Sequence, residues 1–446
     1  MKTSFELRAS GVERRAVLAS LVAAIALSCT PAGPQPGARP PVSRPATQRP
    51  SAPPTVPVSP ATVPVGGGLV RVGLAVDADS VIVSGTGGSP AFEVVASNGS
   101  VLYRGGENDR LIVRHDGGLR GRTPDGRTVT LPELASVRSA PGSVGYVMID
   151  NAQYRGAVLL RSSADGGVTA VNTLDLETYL LGVVPREIPV TQFQAVKAQA
   201  VAARTYAVGQ MGRRESLGFD FYASVQDQVY GGIGAENDIA TRAVAETAGE
   251  ILTYDGEPID AFYHSTCGGR TAAIDEVWNS APVPYLRSVS DEKPGGGAWC
   301  DTSSRYRWTQ AYNRDQLRTV LATNLAARGA RGVSEVQNVE VAEESRSGRA
   351  AWSVVTVDGD DYRVRGDSIR WILRKPDNTL LNSSLLLEID AHRNGGEIDS
   401  LTVHGGGWGH GIGMCQVGAM GRAAAGHSYR DILAAYYQGA TLSRIY

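Results

Sequence analysis

The sequence predicts an α+β protein: a β-rich N-terminal module, then a mixed α/β domain carrying an inserted α+β subdomain. Three observations lead there. Short stretches alternating apolar and polar residues, separated by Gly-rich turns, fill residues 67–150, which is the period of half-buried strands. An alanine-rich run over residues 193–211 has the propensity and length of a helix. Finally, 53 glycines against 6 phenylalanines suit a turn-rich, strand-containing chain better than a helical bundle. At 446 residues the chain is too long for one core, so at least two folded units are expected.

Residues 1–28 read as an export signal. Lys2, Arg8, Arg14 and Arg15 supply the positive region, and residues 16–28 are uncharged and mostly apolar. That run is too short to span a bilayer and fits a signal-peptide core. It ends in Ala26-Leu27-Ser28-Cys29, similar to a bacterial lipoprotein cleavage box with the Cys29 thiol as lipid acceptor. Ordinary signal cleavage is the alternative. Either way the protein is expected outside the cytoplasm, in the cell envelope, with a lipid anchor placing it on a membrane facing the periplasm or on the cell surface.

Residues 29–66 form a tether. Between Thr30 and Val65 lie 12 of the 23 prolines and no carboxylate, a composition that favours extended polyproline II over a packed core. Charge excludes one partner class. With 43 basic and 45 acidic side chains, net −2, the chain lacks the basic surplus of a nucleic-acid binder.

In the β-rich module, Val70-Arg71-Val72-Gly73-Leu74 and Arg110-Leu111-Ile112-Val113 alternate, and Gly85-Thr86-Gly87-Gly88 and Asp125-Gly126 supply turns. No catalytic constellation lies in it, so packing or spacing is the role expected. In residues 151–446 the clearest helix opens at Thr191-Gln192-Phe193-Gln194, which has the form of a capping box, with Pro189 stopping any earlier helix. Ala200, Ala203 and Ala207 fall on one face of it. Ser428-Tyr429-Arg430-Asp431 opens a late helix. Residues 301–390, with a helix over 314–327 and several strands, are expected as the inserted subdomain.

Val183-Val184-Pro185-Arg186-Glu187-Ile188-Pro189 places a single carboxylate among apolar residues and prolines. Such a setting raises a carboxyl pKa and lets it donate a proton near neutrality. Arg186 opposes this, although neighbours in an extended chain point to opposite sides. The bland alternative is a structural glutamate at a helix start.

Several blocks then occur in order: Tyr179-Leu180-Leu181-Gly182 leading into the Glu187 segment, Ala198-Gln199-Ala200-Val201-Ala202-Ala203-Arg204-Thr205-Tyr206-Ala207, Gln228-Val229-Tyr230, Phe262-Tyr263-His264-Ser265-Thr266-Cys267-Gly268-Gly269-Arg270-Thr271, and Gly407-Trp408-Gly409-His410-Gly411-Ile412-Gly413-Met414-Cys415-Gln416. Together they resemble the SpoIID/LytB family, across about residues 171–446, and an ordered set is far more specific than any short motif. The resemblance implies lytic transglycosylase chemistry on peptidoglycan glycan strands, with Glu187 catalytic. One carboxyl suffices there, because the sugar's own C6 hydroxyl attacks and leaves a 1,6-anhydro-muramyl end, whereas hydrolysis generally needs two carboxylates. It also implies a groove in which Arg204, Tyr206, Ser265, Thr266, Gly268, Trp408, His410 and Gln416 bind substrate. Two other readings stay open: a non-catalytic peptidoglycan-binding protein or amidase enhancer partnering a cell-wall amidase, and a structural lipoprotein.

Ser265 and Thr266 suit sugar hydroxyls, or simply a tight turn; the Gly-x-Ser-x-Gly elbow of a serine nucleophile is missing. Residues 405–413 contain six glycines in nine positions but lack a phosphate loop's Gly-Lys-Ser/Thr ending. Trp408 offers a ring face to a sugar, and His410 is as readily an ordinary histidine as a functional one. No cofactor is implied. Some family members bind zinc through Cys and His just before the Gln-x-Tyr block, but residues 219–230 hold neither here, so no metal is expected there. His264, Cys267 and Cys300 offer only three ligands. In an oxidising compartment a Cys267–Cys300 disulfide is the preferred reading, leaving Cys415 as a small buried thiol.

Overall fold

The computed structural model describes residues 68–163 and 165–446. The signal segment, Cys29 and the whole tether lie outside the described residues. The fold is α+β with a β-rich N-terminal region.

Two sheets enclose the first core. The larger runs Phe221–Tyr222, Leu69–Ala78, Val168–Asp175, Ala157–Ser162, Leu134–Ser139, Phe92–Ala96, Val101–Gly105. The smaller runs Ala152–Tyr154, Val147–Ile149, Val81–Gly85, Leu111–His115, Leu119–Arg122, Thr128–Thr130. Val81, Val83, Leu111 and Val113 from one sheet meet Val94, Val137, Val158 and Leu160 from the other. Period-two alternation thus delivers one apolar face per sheet.

The larger sheet runs on past Asp150. Leu69–Ala78 and Val168–Asp175 pair antiparallel, Val70 opposite Leu174. Val168 and Ala170 belong to the core between the sheets, whereas Val70, Val72 and Leu174 belong to the core of the helical region. Two strands therefore serve both cores and tie them together.

Six helices of eight residues or more follow: α1 (Leu176–Glu187), α2 (Phe193–Gln210), α3 (Asp238–Glu246), α4 (Arg314–Leu325), α5 (Gln416–Ala424) and α6 (Tyr429–Tyr436). α2 is the axis on which α1, α3, α5 and α6 pack. Ala198, Ala200, Ala202, Ala203 and Ala207 are all fully buried; a helix with apolar residues on every side is an interior helix, and its small side chains admit close neighbours. The expected capping box at its start does not form. Gln192 caps without a side-chain bond, and Gln194 Oε1 instead accepts from the Tyr429 N–H at 2.9 Å, a tertiary contact that displaces the local one. α6 does carry its box, Ser428 and Asp431 bonding each other's backbone N–H.

A further core lies within residues 307–406, where Tyr312, Leu317, Leu321, Val339, Val355, Val364, Leu401 and Val403 pack together. It joins α4 to two three-stranded sheets: Arg307–Asn313, Glu397–Gly406 and Leu386–Asn394, and Val336–Glu344, Ala350–Val357 and Asp360–Arg365. Strand Glu397–Gly406 delivers the chain directly into the glycine-rich loop, so this region positions one wall of the site.

Candidate active site

Glu187 is the last residue of α1, not part of an extended segment. The Asp175 carboxylate starts the helix by accepting from the Thr178 N–H at 3.0 Å. Tyr179, Leu180, Val183 and Val184 then fix it in the core. Pro185 lies inside the last turn, where it cannot donate the bond to Leu181 O and so weakens the helix just before it ends. Pro189 drives the residue before it out of the α region, and Ile188 is accordingly extended at φ −138°. The two prolines thus stop the helix at Glu187 and leave its carboxyl at the helix C-terminus. Arg186 is exposed, so its charge acts on Glu187 only weakly.

Glu187 is half-buried: solvent reaches part of it, while protein crowds its carboxyl. Burial pushes its pKa up to about 7, against the opposing effects of Val229 N–H, Gln416 and the charge of the exposed Arg186. The negative end of the helix dipole acts in the same upward direction. Val229 N–H donates to Glu187 Oε1 at 2.7 Å.

The loop carrying Val229 is held from both sides. Gln228, fully buried, accepts from Tyr179 OH at 3.1 Å and donates to Tyr263 OH at 3.0 Å and Ala203 O at 3.2 Å. Asp227 accepts from Tyr222 N–H and Arg214, both at 2.8 Å, and from Tyr206 OH at 3.3 Å. Tyr179, Gln228, Val229 and Tyr263 are neighbours of the acid that no local pattern marks; their trace in the sequence was membership of three of the ordered blocks, those opening at Tyr179, Gln228 and Phe262.

The two motif loops form one wall. Thr266 and Trp408 exchange backbone hydrogen bonds at 3.1 and 2.8 Å, and Ala272 N–H reaches Gly411 O at 2.8 Å. Tyr263 and His264 pair in parallel with Met414 and Cys415. The glycines permit this approach. At Gly407 (φ +81°) a Cβ would lie 2.6 Å from Thr266 O, and at Gly413 (φ +69°) 2.0 Å from Phe262 O.

The expected substrate contacts divide. Gln416 stands near Glu187 and lowers its pKa, its Nε2 donating to Gln199 Oε1 at 3.4 Å, and Ser265 is partly exposed. Thr266 is fully buried and bonds Ser303 Oγ at 3.0 Å. Gly268 is buried, its carbonyl accepting from Arg307 at 2.9 Å. Arg204 is fully buried, clamped to Glu177 at 2.6 and 2.8 Å; it braces α1 from within rather than lining a groove, because a guanidinium in the core must spend its donors on a carboxylate and carbonyls. Tyr206 is buried against Phe221 and Phe262. Trp408 is half-buried, with the Arg305 guanidinium 3.4 Å from its ring centroid, so one ring face already holds a cation. His410 accepts from Ile412 N–H at Nδ1 and faces Tyr263 O through Nε2, both at 3.0 Å. Burial lowers its pKa to about 3, so it sits neutral among Phe262, Trp278 and His264.

Cys267 and Cys300, expected as a disulfide, are free thiols with Sγ atoms 3.4 Å apart, well beyond the ~2.05 Å of an S–S bond. Cys415 is a buried free thiol beside them.

A family model described as stage II sporulation protein (SpoIID) matches residues 164–254, and one described as a domain of unknown function matches residues 296–413. The stage II sporulation protein D of Bacillus subtilis is 33% identical over 290 residues, 61% of this chain and 76% of that protein. The amidase enhancer of the same organism is 32% identical over 293 residues, 59% of this chain and 40% of that protein. An uncharacterised protein of Brachyspira hyodysenteriae is 32% identical over 293 residues, 65% of this chain and 72% of that protein.

Proposed function

The chain belongs to the SpoIID family, and on that footing we propose that it is a peptidoglycan lytic transglycosylase using Glu187 as its single acid and base. The observation that carries the reading is a half-buried carboxyl with a pKa near 7, which is populated in both protonation states at neutral pH. Protonated Glu187 gives its proton to the glycosidic oxygen as the C1–O bond breaks. The resulting carboxylate, held by Val229 N–H, accepts the proton of the C6 hydroxyl as that oxygen bonds to C1. Glu187 ends protonated, ready for the next turnover.

Export, a lipid on Cys29 and a tether reaching the wall complete the proposal. The 32% identity to a protein named amidase enhancer favours a second reading, in which the groove binds glycan and stimulates an amidase without turnover. The test is mass spectrometry of glycan strands stripped of stem peptides after incubation with the full chain. Release of 1,6-anhydro products by wild type, and their loss with retained binding in Glu187→Gln, is the expected result. If both proteins bind glycan and neither releases product, the transglycosylase reading falls and the second stands.

A further inference from the structure

Three cysteines far apart in sequence converge where the two motif loops pair. Cys267 lies in the loop after Tyr263–His264, Cys300 in the loop before Arg307–Asn313, and Cys415 directly precedes α5. All three are fully buried, as is Asp291. The three Sγ atoms and one Asp291 carboxylate oxygen all lie within 4.8 Å of one another. Cys267 Sγ is 3.4 Å from Cys300 Sγ and 3.3 Å from Asp291 Oδ2. A tetrahedral zinc with Zn–S near 2.3 Å and Zn–O near 2.0–2.2 Å places its ligands roughly 3.5–3.8 Å apart, so small shifts bring the four atoms to that geometry.

The surroundings are those of thiolates. Backbone N–H groups point at sulfur: Cys267 N–H at Cys415 Sγ (3.2 Å), Gly418 N–H at Cys415 Sγ (3.3 Å) and Gly269 N–H at Cys267 Sγ (3.4 Å). Cys415 also sits at the N-cap of α5, the end of a helix that favours negative charge. Asp291 is oriented as a metal-bound carboxylate usually is, with Oδ1 held by Tyr436 OH at 2.7 Å and Arg422 at 3.2 Å while Oδ2 faces the sulfurs. Arg349, fully buried beside Cys267, donates to the Cys267 carbonyl at 2.8 Å, and its Nε and Nη1 have no hydrogen-bond partner among the described residues. Three thiolates and one carboxylate against a divalent cation leave two negative charges, which Arg349 and Arg422 offset. A buried cation with idle donors needs such an anionic neighbour.

We propose that Cys267, Cys300, Cys415 and Asp291 form a structural site for one thiophilic divalent cation, with zinc the expected occupant. His264 is not in the set: its Nδ1 faces Ile412 O at 3.1 Å, and the ligand atoms that lie within 4.8 Å of one another are those of Cys267, Asp291, Cys300 and Cys415. The buried ligand set leaves no open position for substrate, so the ion's work is mechanical. It pins the His264–Gly269 loop, the Cys300 loop and the start of α5 together, and so holds Gln416, the residue after Cys415, against Glu187. Binding displaces the thiol protons to solvent and involves no oxidation.

The test uses the full chain carrying Cys29→Ser, so that its only thiols are those of the cluster. Purified under reducing conditions, it is expected to carry one zinc per chain by elemental analysis. After chelator stripping, one equivalent of Co²⁺ should restore a thiolate-to-cobalt charge-transfer band and tetrahedral ligand-field bands. Cys415→Ser should abolish the band. Tyr436→Phe leaves every ligand in place but removes the shorter of the two bonds that orient Asp291 Oδ1, and should weaken Co²⁺ binding about 10–100-fold, so the prediction survives a Cys415 variant that fails to fold. A folded, reduced wild type that binds no Co²⁺, or binds it without a thiolate band, overturns the proposal. So does a protein purified without zinc whose mass is two hydrogens light and whose peptides link Cys267 to Cys300.

Discussion

Replacing Glu187 by glutamine tests the electrostatic argument separately from activity. Burial raises the carboxyl from 4.5 to about 7 in the folded protein, while the unfolded chain keeps the ordinary value. Below the unfolded value both states hold the proton and the site costs nothing. Between the two values only the folded state holds it, so stability falls as pH rises; above 7 the full cost is reached. A displacement of this size corresponds to about 3 kcal/mol. Glutamine keeps the shape, keeps an oxygen for Val229 N–H and never ionises, so all other titrations cancel in the difference between the two proteins. Glu187→Gln should exceed wild type in unfolding free energy by about 1 kcal/mol at pH 5 and about 3 kcal/mol at pH 8. Urea unfolding of both proteins across that range measures it. A difference independent of pH, or one that shrinks as pH rises, would refute the buried-acid reasoning even if the variant were inactive.

Gln416→Leu removes one of the donors that lower the Glu187 pKa, so the alkaline limb of the activity profile should move to higher pH; an unmoved or lowered limb would separate Gln416 from the acid. Arg204→Ala leaves Glu177 buried without its cation, and calorimetry should show a loss of about 3–5 kcal/mol, whereas a groove contact would change glycan affinity at unchanged stability. Cys29→Ser should move the exported protein from the membrane fraction to the soluble one, and retention on the membrane would rule out the lipid anchor.

The period-two stretches and the alanine run were legible because both depend on local spacing alone: one face per strand, one helix that can be buried all round. The ordered motif blocks also singled out Glu187. Its secondary structure was misread, because an extended segment and a helix ended by Pro189 use the same residues, and only the packing of Tyr179, Leu180 and Val183 into the core selects the helix. The block containing Arg204 showed its importance but not its direction; that it points inward follows from Glu177 of α1 and Val244 O of α3 closing over it.

The sequence by itself determined the α+β class, the family and the one carboxyl on which the chemistry is proposed to turn. Those rest on patterns contained within a few turns or on blocks compared in order. Tertiary structure alone decided the state of that carboxyl, since a pKa near 7 is what burial leaves after the opposing effect of Val229 and Gln416, residues 42 and 229 positions away in the chain. It also decided what the cysteines are. Cys267 and Cys300 suggested a pair, but parallel pairing of His264 with Cys415 brings in a third sulfur, and the Asp291 loop a carboxylate. Such convergence is a property of the folded chain and has no local sequence signature.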